Sequence, residues 1–271
     1  MSLIQAVILG VVQGLTEFLP ISSSGHLVLG ESLLKVKFAD IGFDVFLHVG
    51  TLLAVIIYFR QPIWKMLRAV WFKFKSKLVK KGDTEYLEED WQLFWLIILG
   101  SIPAGLIGVG FKDFFEKAFS SVRIVSVMLL FTGTILFLTR FFKGVREKLR
   151  WADALWVGLA QAIAILPGVS RSGLTISAGI FRKVEPAKAA EFSFLLSLPA
   201  VLGANVLELK DVLSRSNKSG GVTVYLAGAI AALIVGYIAI KFLLGVIKKG
   251  KFQYFGYYCF AVGLFFLIFA S

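Results

Sequence analysis

The chain has one cysteine, Cys259, and only two histidines in 271 residues. A single thiol excludes an internal disulfide and any metal site built from several cysteines. Cys259 sits in an apolar run and reads as inert packing. Charge is also scarce. Asp, Glu, Lys and Arg make up 17% of the residues, below the share of about a quarter usual in soluble domains. Acids are the scarcer sign, 17 against 29 Lys and Arg, giving a net charge of +12. No Lys or Arg precedes Lys35, so the basic region of a secretory signal is missing and no such signal is expected. Low-complexity sequence is absent, and no stretch is left over for a separate soluble domain.

What fills the chain is apolar. Hydrophobic residues are 58% of it and mean hydropathy is +0.82, the signature of an integral membrane protein. The positive charge does not point to nucleic acid. It gathers in short loops between apolar runs, as the positive-inside rule expects. Nucleic acid is therefore set aside as a partner, and bilayer lipids are expected.

Two interruptions of the apolar runs organise the rest. The first is Gln13-Gly-Leu-Thr-Glu17-Phe-Leu-Pro20-Ile-Ser22-Ser-Ser-Gly25-His26; the second is Gln161-Ala-Ile-Ala-Ile-Leu-Pro167-Gly-Val-Ser170-Arg-Ser-Gly173. A shift of 148 residues superposes Gly10 on Gly158, Gln13 on Gln161, Ser22 on Ser170, Ser24 on Ser172 and Gly25 on Gly173. Broken apolar segments at matching points of two halves point to a site at a repeat interface.

In each half a short apolar segment runs into a polar turn and a second short segment, 2–12 and 27–34 in the first, 152–166 and 174–181 in the second. Each reads as a re-entrant hairpin, tolerated at depth only where protein or a water-filled cavity surrounds it. Full spans are expected at 41–59, 91–110, 122–139, 186–206, 222–242 and 252–270. The loop 60–81 carries eight Lys or Arg and no acid, and 140–150 carries five basic residues; both are placed inside. Trp64, Trp71 and Phe72 suggest that the loop 60–81 lies on the membrane surface. The stretches 111–121 and 207–221 are placed outside. The expected fold is an all-α polytopic membrane protein, one integral domain over 1–271, with six transmembrane helices and two re-entrant hairpins. Three spans per half reverse the second half, so repeats 1–150 and 151–271 are inverted and their hairpins approach from opposite faces. Both termini then lie outside.

The two turns carry a chemistry. Ser22 or Ser23, and Ser170, can cap the helices that follow, leaving backbone N–H groups and a helix dipole to meet an anion. Arg171 at membrane depth needs a cavity and a partner, and its planar fork suits two phosphate oxygens. Glu17 is an acid deep in an apolar element; it binds a divalent cation, orients His26 or pairs with Arg171. Serines and glycines in membrane helices often serve only close packing. Intramembrane Glu17, His26 and Arg171 beside both turns favour function, and the inventory fits phosphoryl transfer. His48, in mid-span without a motif, reads as a structural histidine, and Lys188 with Glu191 as a structural pair.

Residues 13–26 and Leu166-Pro-Gly-Val-Ser-Arg-Ser-Gly-Leu-Thr-Ile-Ser177 resemble the two signature motifs of the undecaprenyl-diphosphate phosphatase family, the bacitracin-resistance family; 191–199 resembles a third stretch. The resemblance spans the chain. It implies a multi-pass enzyme of the bacterial inner membrane that removes the terminal phosphate of C55-isoprenyl diphosphate, for lipid carrier recycling in cell-wall synthesis. It implies an active site open to the periplasm or exterior and dependence on Mg2+ or Ca2+. Carried over, Glu17 is the essential acid and a candidate metal ligand, and Ser23 resembles the proposed nucleophile. His26 activates that hydroxyl or protonates a leaving oxygen, and Arg171 holds the diphosphate. Gln13, Ser22, Ser24, Gly25, Ser170, Ser172, Gly173 and Thr175 form the expected substrate-binding set. Gln13 stands where some members have Glu, which leaves one carboxylate for a cation. The second reading is a flippase for polyprenyl phosphate, built on the inverted repeat. A homodimer is compatible with the sequence.

Overall fold

The computed structural model describes residues 1–27, 41–75, 84–111, 114–115, 121–214 and 221–269. The short segment expected over 27–34 lies outside them except for its first residue, as do parts of the loops 60–81, 111–121 and 207–221. Among the described residues ten α-helices are defined: α1 (Leu3–Phe18), α2 (Ile41–Tyr58), α3 (Arg60–Phe74), α4 (Thr84–Gly110), α5 (Val122–Leu138), α6 (Trp151–Ile163), α7 (Arg171–Phe181), α8 (Pro186–Ser214), α9 (Val222–Lys248) and α10 (Tyr254–Phe269). Residues 23–27 are helical as well. Among the described residues the only extended pairing is an isolated bridge between Arg146 and Val184.

Among the described residues, four helices are long and apolar enough to cross a membrane: Glu88–Gly110, Val122–Phe141, Pro186–Val206 and Val222–Lys248. A fifth crossing follows if the bent pair Gly42–Tyr58 and Arg60–Lys73, which turn by 78°, is counted as one. The apolar helices α1 and α10 are 16 residues long and α6 is 13. At 1.5 Å per residue α1 reaches about 24 Å, short of a hydrocarbon core of about 30 Å.

Local chemistry sets several helix ends. Ser2 and Gln5 form a reciprocal capping box at the start of α1, with Gln5 N–H on the Ser2 hydroxyl at 3.2 Å and Ser2 N–H on Gln5 Oε1 at 2.8 Å. Pro186 opens α8, where its missing N–H costs nothing. The stretch after residue 59, expected as a loop, is helical to Phe74. Its Pro62 falls in the first turn, where N–H groups have no partner within the helix, and Lys, Met, Leu, Arg and Ala fill much of the remainder.

The helices meet through small residues. A Cβ on Gly10 of α1 would lie 2.3 Å from the Gly228 carbonyl oxygen of α9, and a Cβ on Gly158 of α6 would lie 2.3 Å from the Gly100 carbonyl oxygen of α4. Backbone against backbone at that range excludes any side chain. The core between these pairs is aromatic: the Phe18 ring meets Phe194 edge-on at 5.7 Å, and Phe59 meets Phe194 at the same spacing. Phe18, Phe192 and Phe194 are almost wholly buried.

The strap joining the halves is pinned to the far end of α7. Asp153, fully buried, accepts from Arg146 Nη1 at 2.6 Å, Arg182 Nε at 3.1 Å and the Arg150 N–H at 2.9 Å. Arg146 also donates to the Arg182 carbonyl at 2.8 Å. A buried carboxylate so fully paired resists removal of either cation.

Candidate active site

Both apolar interruptions form turns followed by a helix. After α1 the chain passes Leu19, Pro20 and Ile21 to Ser22, whose φ of 71° lies in the left-handed region. Helix resumes at Ser23, and the Ser22 hydroxyl accepts the Gly25 N–H at 3.5 Å. After α6 the chain turns through Gly168, φ 86°, where a Cβ would meet the Val125 carbonyl oxygen at 2.3 Å. Only glycine suits that conformation and that space. Ser170 caps α7, accepting the Gly173 N–H at 3.1 Å. Each cap leans on a second hydroxyl two residues on: Ser22 and Ser24 at 3.3 Å, Ser170 and Ser172 at 3.2 Å.

The turns touch. Arg171 Nη2 forms an ion pair with Glu17 Oε1, and the Ser172 hydroxyl donates to the Leu19 carbonyl at 3.3 Å. Glu17 Oε2 accepts from the Ser23 hydroxyl at 2.7 Å and from Gln13 Nε2 at 3.1 Å. Of the three partners left open for Glu17, the carboxylate meets Arg171, with Ser23 and Gln13 beside it. The Glu17 and Arg171 side chains are 8% and 17% exposed, so the pair is sheltered yet reachable. Two buried atoms at its edge, Arg171 Nη1 and Gln13 Oε1, have no hydrogen-bond partner among the described residues. A donor and an acceptor held there suit a polar ligand.

His26 stands apart from this carboxylate. Its Nδ1 is 2.8 Å from the Ser22 carbonyl, which only accepts, so Nδ1 carries a proton. Its Nε2 is 2.8 Å from the Tyr258 hydroxyl of α10, which donates to it when the ring is neutral. The His26 hydrogen bonds thus run to Ser22 and Tyr258 rather than to Ser23 or Glu17. Thr175 is fully buried and bonds the Ser193 hydroxyl at 2.6 Å and its own helix at Arg171 O, at 2.7 Å. It braces α7 against α8 rather than lining the turn. His48 Nδ1 donates to the Asp44 carbonyl at 2.9 Å, and Lys188 bridges Glu191 at 2.9 Å.

The comparisons with known proteins agree on what this chain resembles. The model of a family described as bacitracin resistance protein BacA matches residues 6–265. The chain belongs to the BacA family. Among its relatives is a protein named undecaprenyl-diphosphatase from Carboxydothermus hydrogenoformans, 42% identical over 273 residues, 99% of this chain and 97% of the relative. Another of that name, from Halothermothrix orenii, is 44% identical over 274 residues, 100% of this chain and 99% of the relative.

Two residues of this BacA-family site escape a reading of its motifs. Thr132 of α5 accepts the Ser170 N–H at 3.1 Å and donates to the Gly168 carbonyl at 3.3 Å, fixing the second turn from outside. Tyr258 fixes His26. Both lie in ordinary apolar runs, and their only signal is a polar group in a span. No cluster of three or more His, Cys, Asp or Glu suited to a metal ion occurs among the described residues. The oxygen donors that fit a hard cation are Glu17 and Gln13 Oε1, the latter buried and unpartnered. Two protein oxygens match Mg2+, which takes few protein ligands and completes its shell with phosphates and water.

Proposed function

We propose that this chain is an undecaprenyl-diphosphatase, hydrolysing the terminal phosphate of C55-isoprenyl diphosphate to undecaprenyl phosphate and inorganic phosphate. The observation that carries the reading is the Glu17 carboxylate held between Ser23 and Arg171, one from each turn. The BacA membership and the relatives' names support the substrate class.

The geometry suggests an order of events. The β-phosphate of the substrate takes hydrogen bonds from Arg171, beginning with the unpartnered Nη1, and draws the guanidinium off Glu17. The helix starts at Ser23 and Arg171 add N–H groups and dipole to the same anion. Glu17, relieved of its cation, accepts the Ser23 proton as the hydroxyl oxygen attacks the terminal phosphorus. The bond from that phosphorus to the bridging oxygen breaks, undecaprenyl phosphate leaves, and water releases phosphate from the serine. Ser23 is in contact with Glu17, so the base role falls to Glu17, and His26 protonates the leaving oxygen once it has taken up a second proton at Nε2 in exchange for the Tyr258 hydrogen bond. A divalent cation, Mg2+ or Ca2+, would be held by Glu17 and Gln13 together with the phosphates and would supply charge neutralisation there.

The same proposal includes the topology: six spans, hairpins 2–34 and 152–181, and inverted repeats 1–150 and 151–271. Paired close contacts support it, since the first helix of each half meets a helix of the other half at glycine, Gly10 on Gly228 and Gly158 on Gly100. Basic residues at 60–81 and 140–150 then lie inside, and the site opens outside, with both termini. The setting is a bacterial inner membrane. The test is phosphate release from C55 diphosphate by purified protein in detergent, with and without chelator. Detergent removes any transmembrane gradient, so transport alone yields no phosphate. Absence of release in every cation tried overturns the proposal.

A further inference from the structure

The two halves are not equal. Gly10 and Gly158 make matching contacts and stand 148 residues apart, while their partners Gly228 and Gly100 stand 128 apart. The first half therefore carries 20 residues more than the second between its hairpin and Gly100. Helix α3 lies in that stretch, so the pairing of the halves does not call for it.

Helix α3 leaves α2 at 78° after a break at Phe59, which turns it off the axis of the preceding span. One side is packed: Met66 is 8% exposed and Ala69 fully buried, in line with the buried Phe59. On that protein side Lys73 bridges Glu88 of α4 at 2.5 Å. The opposite side is a stripe of Arg60, Trp64, Leu67, Arg68, Trp71 and Lys75, spaced at three and four residues and all exposed. Trp64 is 69% exposed and Trp71 61%. No acid occurs from Arg60 to Lys81. The cations gather over rings: Lys75 Nζ lies 4.4 Å from the Trp71 ring centre, and Arg68 Cζ 5.2 Å from that of Phe72.

A protein-binding face usually gathers aromatics at a centre ringed by mixed polar residues. Here tryptophans alternate with cations of one sign along a single helix. That is the arrangement of a helix lying in an interface, its rings among acyl chains and its cations at headgroups. We infer that this stripe of α3 is a binding surface for anionic phospholipid headgroups, distinct from the Glu17–Arg171 site. The inference goes beyond the proposed phosphatase activity and does not depend on it.

The test uses full-length protein in phosphatidylcholine vesicles carrying equal fractions of brominated phosphatidylglycerol or brominated phosphatidylcholine. Quenching of Trp64 and Trp71 is read as the difference between wild type and the Trp64→Phe/Trp71→Phe variant. The anionic lipid quenches more than the zwitterionic one, and high salt narrows the gap. Each cation near such a surface enriches anionic lipid by about fivefold. Arg68→Gln therefore weakens the preference and Arg60→Gln/Arg68→Gln/Lys75→Gln weakens it further, with a monodisperse size-exclusion profile as the check on folding. If the triple variant does not fold, Arg68→Gln and the salt series carry the decision. Equal quenching by both lipids overturns the inference. Absence of quenching by either overturns it as well, because the stripe is then covered by protein, a second copy included.

Discussion

Replacing Glu17 with Gln separates the two tasks assigned to this side chain. The amide keeps the size of the carboxylate and can still accept the Ser23 hydrogen bond, 2.7 Å in the wild type. It cannot take the proton, and it no longer neutralises Arg171. Loss of a positioned base lowers turnover by about 10²–10⁴-fold. Binding moves the other way. In the wild type an arriving phosphate competes with Glu17 for the guanidinium and is repelled by the same carboxylate. A charged hydrogen bond contributes about 1.5–3 kcal/mol net, so releasing that competition tightens a diphosphate ligand by roughly tenfold or more. The unliganded variant is less stable, because breaking a buried pair costs about 3–5 kcal/mol and Arg171 keeps only partial access to water. The assay is single-turnover phosphate release together with Kd for a non-hydrolysable diphosphate, the latter measured in chelator so that cation binding does not enter. A monodisperse size-exclusion profile checks the fold. Turnover within about twofold of wild type would refute the base role, which requires at least a hundredfold loss. Unchanged or weaker binding would refute the competition between carboxylate and phosphate.

Four further outcomes are expected. Ser23→Ala lowers phosphate release by at least about tenfold with ligand binding retained, since the alanine removes the attacking oxygen but not Arg171; burst kinetics with a labelled terminal phosphate checks the covalent intermediate. Gln13→Glu stays active and becomes more dependent on divalent cation, read from a chelator titration, because a second carboxylate then faces Glu17 Oε2 across 3.1 Å. Tyr258→Phe removes one hydrogen bond to His26 and lowers turnover by about fivefold, the worth of one ordinary bond; an unchanged rate would show that the ring needs no such orientation. Gly158→Val prevents close docking of α4 on α6 and depletes folded protein, whereas Gly105→Val, with nothing within 4 Å of a Cβ, leaves the thermal midpoint nearly unchanged.

The broken helices could be read from sequence because polar residues at 13–26 and 161–173 stand where a span would continue apolar. Their meeting could be anticipated because a lone acid and a lone guanidinium at depth each require a partner. Which partner was not legible. Imidazole and guanidinium both satisfy a carboxylate, and the placement of Arg171 against Glu17 discriminates between them. Thr132 and Tyr258 stayed hidden because hydrogen bonds across 38 and 232 residues leave no spacing pattern. Helix α3 was hidden by its own charge: eight Lys or Arg over 60–81 mark a side of the membrane and mask the helical stripe beneath. The Lys188–Glu191 pair was legible, since a turn of helix supplies the partner within four residues.

The two turns share a form but not a complement of residues. The 148-residue offset that aligns their caps sets Ile165 opposite Glu17 and Leu174 opposite His26. The second turn therefore forms no second centre: its matching positions have neither acid nor imidazole.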